Sequence, residues 1–237
     1  MTVSKASSQW SIFQKALQVL DHHKGYARGT LLDIGCGTKP FYEVFKGQTQ
    51  AYIGMDILSK IARPDVEARA DQIDLYGDSL CLPVKTSSVD TVFSSFVIEH
   101  IFEYDRFISE VYRVLKKNAH FIMISPLIFE VHEAPHDYFR FTKFALEQIG
   151  EKHGFRVVHT APVGGEILHW GRRISVWMRK ILGGLYSDRL VEGLSFLIQK
   201  WSLSLDNRIP DDRFVLNYLS VFQKTEQQTD QQGYSMP

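Results

Sequence analysis

The chain alternates short, wholly apolar runs with segments whose apolar residues recur every three or four positions. Over residues 8–24, Trp10, Phe13, Leu17 and Leu20 fall at helical spacing, which predicts an amphipathic helix ahead of the first strand. Strands are predicted at 30–34, 51–56, 73–76, 89–94, 120–125 and 155–160. Helices are predicted between them at 40–45, 104–115 and 142–153, and the stretch after residue 56 is compatible with a helix but poorly patterned. The strands read as apolar runs and do not alternate with polar residues. Both faces of the sheet must then be covered, as in a mostly parallel, doubly wound α/β sheet.

Two regions break the rhythm. Residues 164–213 are helix-patterned and rich in large apolar side chains, and FVLNYLSVF after them predicts a seventh and last strand, 214–222. The expected organisation is an N-terminal helical cap (1–28), an α/β core (29–163), a helical insertion (164–213), the last core strand (214–223) and a disordered polar tail (224–237).

Composition narrows the setting. Lys+Arg and Asp+Glu balance at 27 each in 237 residues, so no global charge argues for nucleic acid. Cys36 and Cys81 have no metal-ligand spacing and are too few for a disulfide framework, which suits a reducing compartment. No apolar run reaches the length of a membrane span, and the N-terminus does not read as a signal peptide. A cytoplasmic protein is expected.

Candidate chemistry begins at LLDIGCGTKPF, residues 31–41. A glycine turn at the carboxyl end of the first strand lets backbone N–H groups approach a ligand at the point where such sheets bind one. Asp33 there would repel a pyrophosphate and attract an ammonium or a sulfonium. A dinucleotide fingerprint would need a glycine at position 40, which is Pro40, so NAD and FAD are disfavoured. Asp56 ends the second strand about 20 residues beyond the turn, where an acid can take both hydroxyls of a ribose. Asp78 lies at the tip of the third. Acids at three strand tips, without a lysine-bearing phosphate loop, suit a positively charged nucleoside lacking phosphates.

Here a resemblance becomes specific. LDIGCGTKPF, YIGMDI, DLYGDSLCLPVKTSSVDTVFSSFVIEHI and EVYRVLKKNAHFIMISP resemble, in order and spacing, the motifs of class I S-adenosylmethionine-dependent methyltransferases of the type 11 group. In the last of them Lys117-Asn118 stands where the family usually has Pro-Gly, and Lys39 replaces its frequent third glycine. The resemblance implies a Rossmann-like core with S-adenosylmethionine as methyl donor and S-adenosylhomocysteine as product. By position, Asp33 would hold the methionine amino group. Gly35 and Gly37, with Cys36 between them, would lie against the methionine moiety and ribose. Asp56, beside Ile57, would bind the ribose hydroxyls. Asp78 would accept from the adenine amino group with Ser79 facing the ring, and Ser94 and Ser95 would border the methyl group.

Residues 125–142, SPLIFEVHEAPHDYFRFT, follow the fifth strand and crowd two histidines, three acids, a tyrosine and an arginine into one loop. His132, His136 and His100 are the candidate bases, because imidazole titrates near neutrality, and at least one of His136 and Tyr138 is expected to contact the acceptor. Alternatively the aromatics pack the loop while Arg140 pairs with an acid. A metal could use His132, His136 and Asp137, but no metal is expected. The acceptor is expected to be a small molecule or a lipid or sugar intermediate.

In the insertion, Trp170, Ile174, Trp177, Ile181 and Leu185 share one helical face with Arg172, Arg173, Arg179 and Lys180 beside it, and Leu190, Leu194, Leu197 and Trp201 form a second stripe. The two helices are expected to pack together as a lid over the substrate or as a homodimer surface. The other reading is a basic, tryptophan-bearing face lying on an anionic membrane. That reading carries the rival function, a membrane-surface or partner-binding module with a vestigial nucleotide pocket.

Overall fold

The computed structural model describes residues 7–57 and 72–225. The poorly patterned stretch after residue 57 and most of the polar tail lie outside the described residues. Seven strands, β1 (Thr30–Ile34), β2 (Ala51–Asp56), β3 (Leu75–Tyr76), β4 (Val89–Ser95), β5 (Leu115–Pro126), β6 (Phe155–Val163) and β7 (Asn217–Lys224), form one sheet in the order β3-β2-β1-β4-β5-β7-β6. The pairs β3–β2, β2–β1, β1–β4 and β4–β5 are parallel, and β7 runs antiparallel between β5 and β6.

The continuous apolar strands serve two cores, one on each face. Leu31, Phe93, Ile122, Leu219 and Val221 pack against α1 (Trp10–His23) and α2 (Tyr42–Phe45). Leu32, Val92, Phe121, Met123 and Phe222, one residue out of step, pack against α3 (Tyr104–Val114) and α4 (Lys143–Lys152). Each fully buried side chain of this size contributes about 1.5–3 kcal/mol. α4 begins at Thr142, whose hydroxyl accepts from the Ala145 N–H at 3.3 Å.

Two strand starts differ most from expectation. β5 starts at Leu115, because pairing with β4 resumes at His120 only after a register shift, and Asn118 takes φ +59° there. Asparagine tolerates the left-handed region that the family's glycine would occupy. β7 starts at Asn217 and not at Phe214. The Leu216 carbonyl is drawn off to Leu127 and Ile128, and Phe214 packs beside Leu168 and Leu203.

The insertion folds as a pair of helices. α5 (Glu166–Leu182) and α6 (Asp188–Arg208) do pack together, but through their small and polar residues. A Cβ on Gly171 would lie 2.2 Å from Ser202 Oγ, Ser175 Oγ donates to the Ser195 carbonyl at 3.2 Å, and Arg179 Nε donates to Ser195 Oγ at 2.9 Å. The aromatic and aliphatic stripes face outward, from 41% exposed at Leu194 to 74% at Leu185. The pair sits on α1, where Lys15 meets Asp206 at 2.8 Å and Ser11 meets Gln199, and it contributes no residue to the cleft described below.

Candidate active site

Strand order reverses between β1 and β4, and a cleft of about 470 Å³ opens there at the carboxyl ends of β1 to β4. Its floor is the turn after β1. Gly35 takes φ +75°, and a Cβ there would meet Val97 at 2.4 Å, so the turn requires glycine on both counts. Lys39 also lies in the left-handed region at φ +50°, the conformation its missing glycine would have supplied, and its ammonium is tied to Asp74 at 2.6 Å.

Five of the ten residues expected at a cofactor line this cleft: Gly35, Asp56, Ile57, Asp78 and Ser79. The Asp56 carboxylate accepts from the N–H groups of Gly37 and Ile57 at 2.9 and 2.7 Å, which fixes it across the turn. Asp78 accepts from Leu80 N–H at 2.8 Å in a tight turn. The other five stand back. Ser94 turns its hydroxyl to the Ile34 carbonyl at 3.1 Å and is buried, Ser95 lies outside the lining, and Gly37 acts through its N–H on Asp56. Cys36 is buried beneath Gly54, and burial pushes its thiol up to about 12, so it is an inert, protonated side chain.

Asp33 is buried behind the turn. One oxygen accepts from the Tyr52 hydroxyl, and the other is buried with no partner among the described residues. Burial raises its carboxyl to about 7, partly offset by the Tyr52 hydrogen bond. A buried orphan carboxylate oxygen beside a glycine turn is what a ligand ammonium, directly or through water, would satisfy.

Across the cleft stand His100, His136 and Tyr138. The loop after β5 is fastened to the 3-10 turn Ile98–His100. Tyr138 N–H donates to the Glu99 carbonyl at 2.8 Å, and His100 Nδ1 meets the His136 carbonyl at 2.6 Å. His136 Nδ1 is 3.0 Å from the Tyr138 hydroxyl, and Tyr138 stacks edge-on against Phe102 at 5.4 Å. Arg140 grips Asp137 through two hydrogen bonds of 2.6 and 2.8 Å, holding that carboxyl well below its usual range, and Arg172 and Arg173 of α5 clasp Glu130. His132 lies just outside the lining with its ring 4.7 Å from that of His100.

Sequence reasoning did not single out Phe102, Glu103 or Glu133, which also line the cleft. Glu99 stands next to His100 just after β4. Its side chain is fully buried, neither carboxylate oxygen has a partner among the described residues, and burial pushes its carboxyl up to about 8. The signal was the Glu-His pair at the end of β4, but only the folded loop brings His132 to it.

Residues 32–123 match the family model described as a methyltransferase domain. That stretch, which carries β2, β4 and most of β1 and β5, is similar to S-adenosylmethionine-dependent methyltransferases. Among curated relatives, a probable S-adenosylmethionine-dependent methyltransferase of Mycolicibacterium smegmatis is 31% identical over 97 residues, 40% of this chain and 37% of its own length. A demethylmenaquinone methyltransferase of Oceanobacillus iheyensis is 28% identical over 123 residues, 47% of this chain and 52% of its own. The chain thus spans about half or less of the length of these relatives. In structure, an S-adenosylmethionine-dependent methyltransferase from Archaeoglobus fulgidus superposes with a TM-score of 0.57 at 19% identity, over 89% of this chain and 93% of that one. The matched residues supply most of the cleft lining, whereas Glu133, His136 and Tyr138 of the loop after β5 and the helices α5 and α6 lie beyond them.

Proposed function

We propose that the protein transfers the methyl group of S-adenosylmethionine to a small acceptor bound beneath the loop after β5. The observation that carries this is the charge of the cleft. Among the described residues its lining holds Asp56, Asp78, Glu103 and Glu133 and neither lysine nor arginine. Such a lining disfavours phosphates and favours a cationic nucleoside. S-Adenosylmethionine supplies the activated methyl group, and the chain's task is to hold and align. Asp56 would take the ribose diol, Asp78 the adenine edge and Asp33 the ammonium. His136, with Tyr138 at its Nδ1, would accept the proton of a hydroxyl acceptor as the acceptor attacks the methyl carbon in line with the departing sulfur. Alignment of this kind contributes about 7–11 kcal/mol. Calorimetry tests the reading: S-adenosylmethionine and S-adenosylhomocysteine should both bind, and NAD should not. Binding of NAD alone would overturn it.

The outward face of α5 and α6 supports a lipid surface as the place where the acceptor is met. Trp170, Trp177 and Trp201 are 48%, 47% and 72% exposed, and Lys180, Arg189 and Lys200 are exposed on the same helices. An apolar exterior around a small-residue seam is the packing of helices that meet lipid. None of the described helices is long and apolar enough to cross a membrane, so the contact would be with the surface.

A further inference from the structure

We propose that Glu99, His100 and His132 form a binding site for one divalent first-row transition-metal ion, beside the cleft. One ligand atom from each of the three residues lies within 4.8 Å of the others. His100 Nε2 is 3.9 Å from Glu99 Oε1 and 3.9 Å from Glu133 Oε2.

The tautomers of both histidines follow from their partners. The Nδ1 of His100 meets the His136 carbonyl at 2.6 Å, and the Nδ1 of His132 meets the Glu130 carbonyl at 3.1 Å, with Asp137 Oδ2 at 3.4 Å. A carbonyl only accepts, so in each ring Nδ1 carries the proton and Nε2 of the neutral imidazole holds a bare lone pair. His100 therefore turns a lone pair toward two carboxylates. That is unfavourable unless a cation, or an added proton, stands between them. Glu99 adds a second and independent observation: it is fully buried, and both its oxygens lack a donor among the described residues.

The outer contacts are those of a built metal site. A ligating histidine commonly gives its other N–H to a carbonyl or a carboxylate, which fixes the ring. Asp137, locked by Arg140, also accepts from the His132 backbone N–H at 2.9 Å. This displaces the set suggested by sequence spacing. Asp137 is committed to Arg140, and the His136 ring is engaged with Tyr138, so neither is placed as a ligand. Metal–ligand bonds of about 2.0–2.2 Å hold donor atoms roughly 3–4 Å apart, so the His100–Glu99 spacing already fits and the third donor needs only a small approach. Two imidazoles and one carboxylate favour zinc, iron, cobalt or nickel over magnesium or calcium. Because His100 also lines the cleft, the fourth position would face the acceptor's side.

The test uses the full chain, stripped with a chelator, then titrated with cobalt(II) followed by absorption and with zinc followed by calorimetry. No methyl donor is present, so the result is separable from that of cofactor binding. One ion per chain is expected. Glu99→Gln and His132→Ala should each lower affinity about tenfold or more, while His136→Ala, which keeps the carbonyl that orients His100, leaves it unchanged. Circular dichroism establishes that each variant is folded, and Glu99→Gln, nearly isosteric, guards against misfolding of His132→Ala. Failure of the wild-type chain to bind a stoichiometric ion, or equal binding by both ligand variants, overturns the site and leaves a protonated Glu99 as the account of the cluster.

Discussion

The Gly37 backbone N–H donates to the Asp56 carboxylate at 2.9 Å, so the end of β2 holds the turn that follows β1. One side chain thus supports the floor of the cleft and faces into it.

Two variants separate these roles. Asp56→Asn keeps an acceptor for Gly37 but loses the charge that strengthens hydrogen bonds to a diol. Its affinity for S-adenosylmethionine should fall by about 1.5–3 kcal/mol with little change in melting temperature. Asp56→Ala should lose both affinity and stability. Calorimetry and thermal unfolding of the pair decide: unchanged affinity in Asp56→Asn would make Asp56 a brace for the turn alone.

Asp33 predicts a pH dependence. Its carboxyl is raised from an ordinary 3.8 to about 7, chiefly by burial. Between about pH 4 and about pH 7 the folded chain therefore retains a proton that the unfolded chain has lost, and this contribution to stability disappears as pH rises through that window. Asp33→Asn should remove that dependence in urea unfolding. A bound ammonium would draw the proton out, so affinity for S-adenosylmethionine should rise with pH and binding should release a proton near neutrality. Calorimetry in two buffers of different ionisation enthalpy measures that release, and none at about pH 6.5 would separate Asp33 from the ligand.

The tryptophan face predicts salt-sensitive binding to anionic vesicles, since each basic residue near such a surface is worth about 1 kcal/mol. Co-sedimentation should decline in Trp170→Ala, Trp177→Ala and Trp201→Ala, with zwitterionic vesicles bound weakly throughout. A protein that ignores both vesicle types but sediments as a dimer, reverting to monomer in these variants, would instead make this face an interface between copies.

Much of this arrangement was legible because it is local. The glycine turn, the acids near strand ends and the apolar strand runs each sit within a few residues, and all seven predicted strands are present with some ends shifted. What escaped depends on distant partners. Helical periodicity shows that Trp170, Ile174 and Trp177 share a face but not which way it points. The small residues opposite, Gly171 and Ser175, carried that signal through their approach to Ser202 and Ser195. Nothing near Asp33 announces that Tyr52, one strand away, will cover it. Glu99 and His132 are 33 positions apart and meet only when the loop after β5 folds onto the 3-10 turn.

His136→Ala and Tyr138→Phe should lower turnover by about 10²–10⁴-fold for the histidine and less for the tyrosine, with cofactor affinity nearly unchanged. The acceptor must be identified first, and lipid extracts incubated with methyl-labelled donor are the starting material. A fall in cofactor affinity that matches the fall in turnover would place both residues in the cofactor's site and not the acceptor's.

The central claim is that the acidic cleft between Gly35, Asp56 and Asp78 is the cofactor site, and a crystal structure with S-adenosylhomocysteine tests it most directly. The ribose hydroxyls should lie within hydrogen-bond distance of Asp56 and the adenine amino group within reach of Asp78. The sulfur should be turned toward the side of the cleft that holds His100, His136 and Tyr138. Density for the ligand elsewhere, or a ribose that avoids Asp56, would contradict the account.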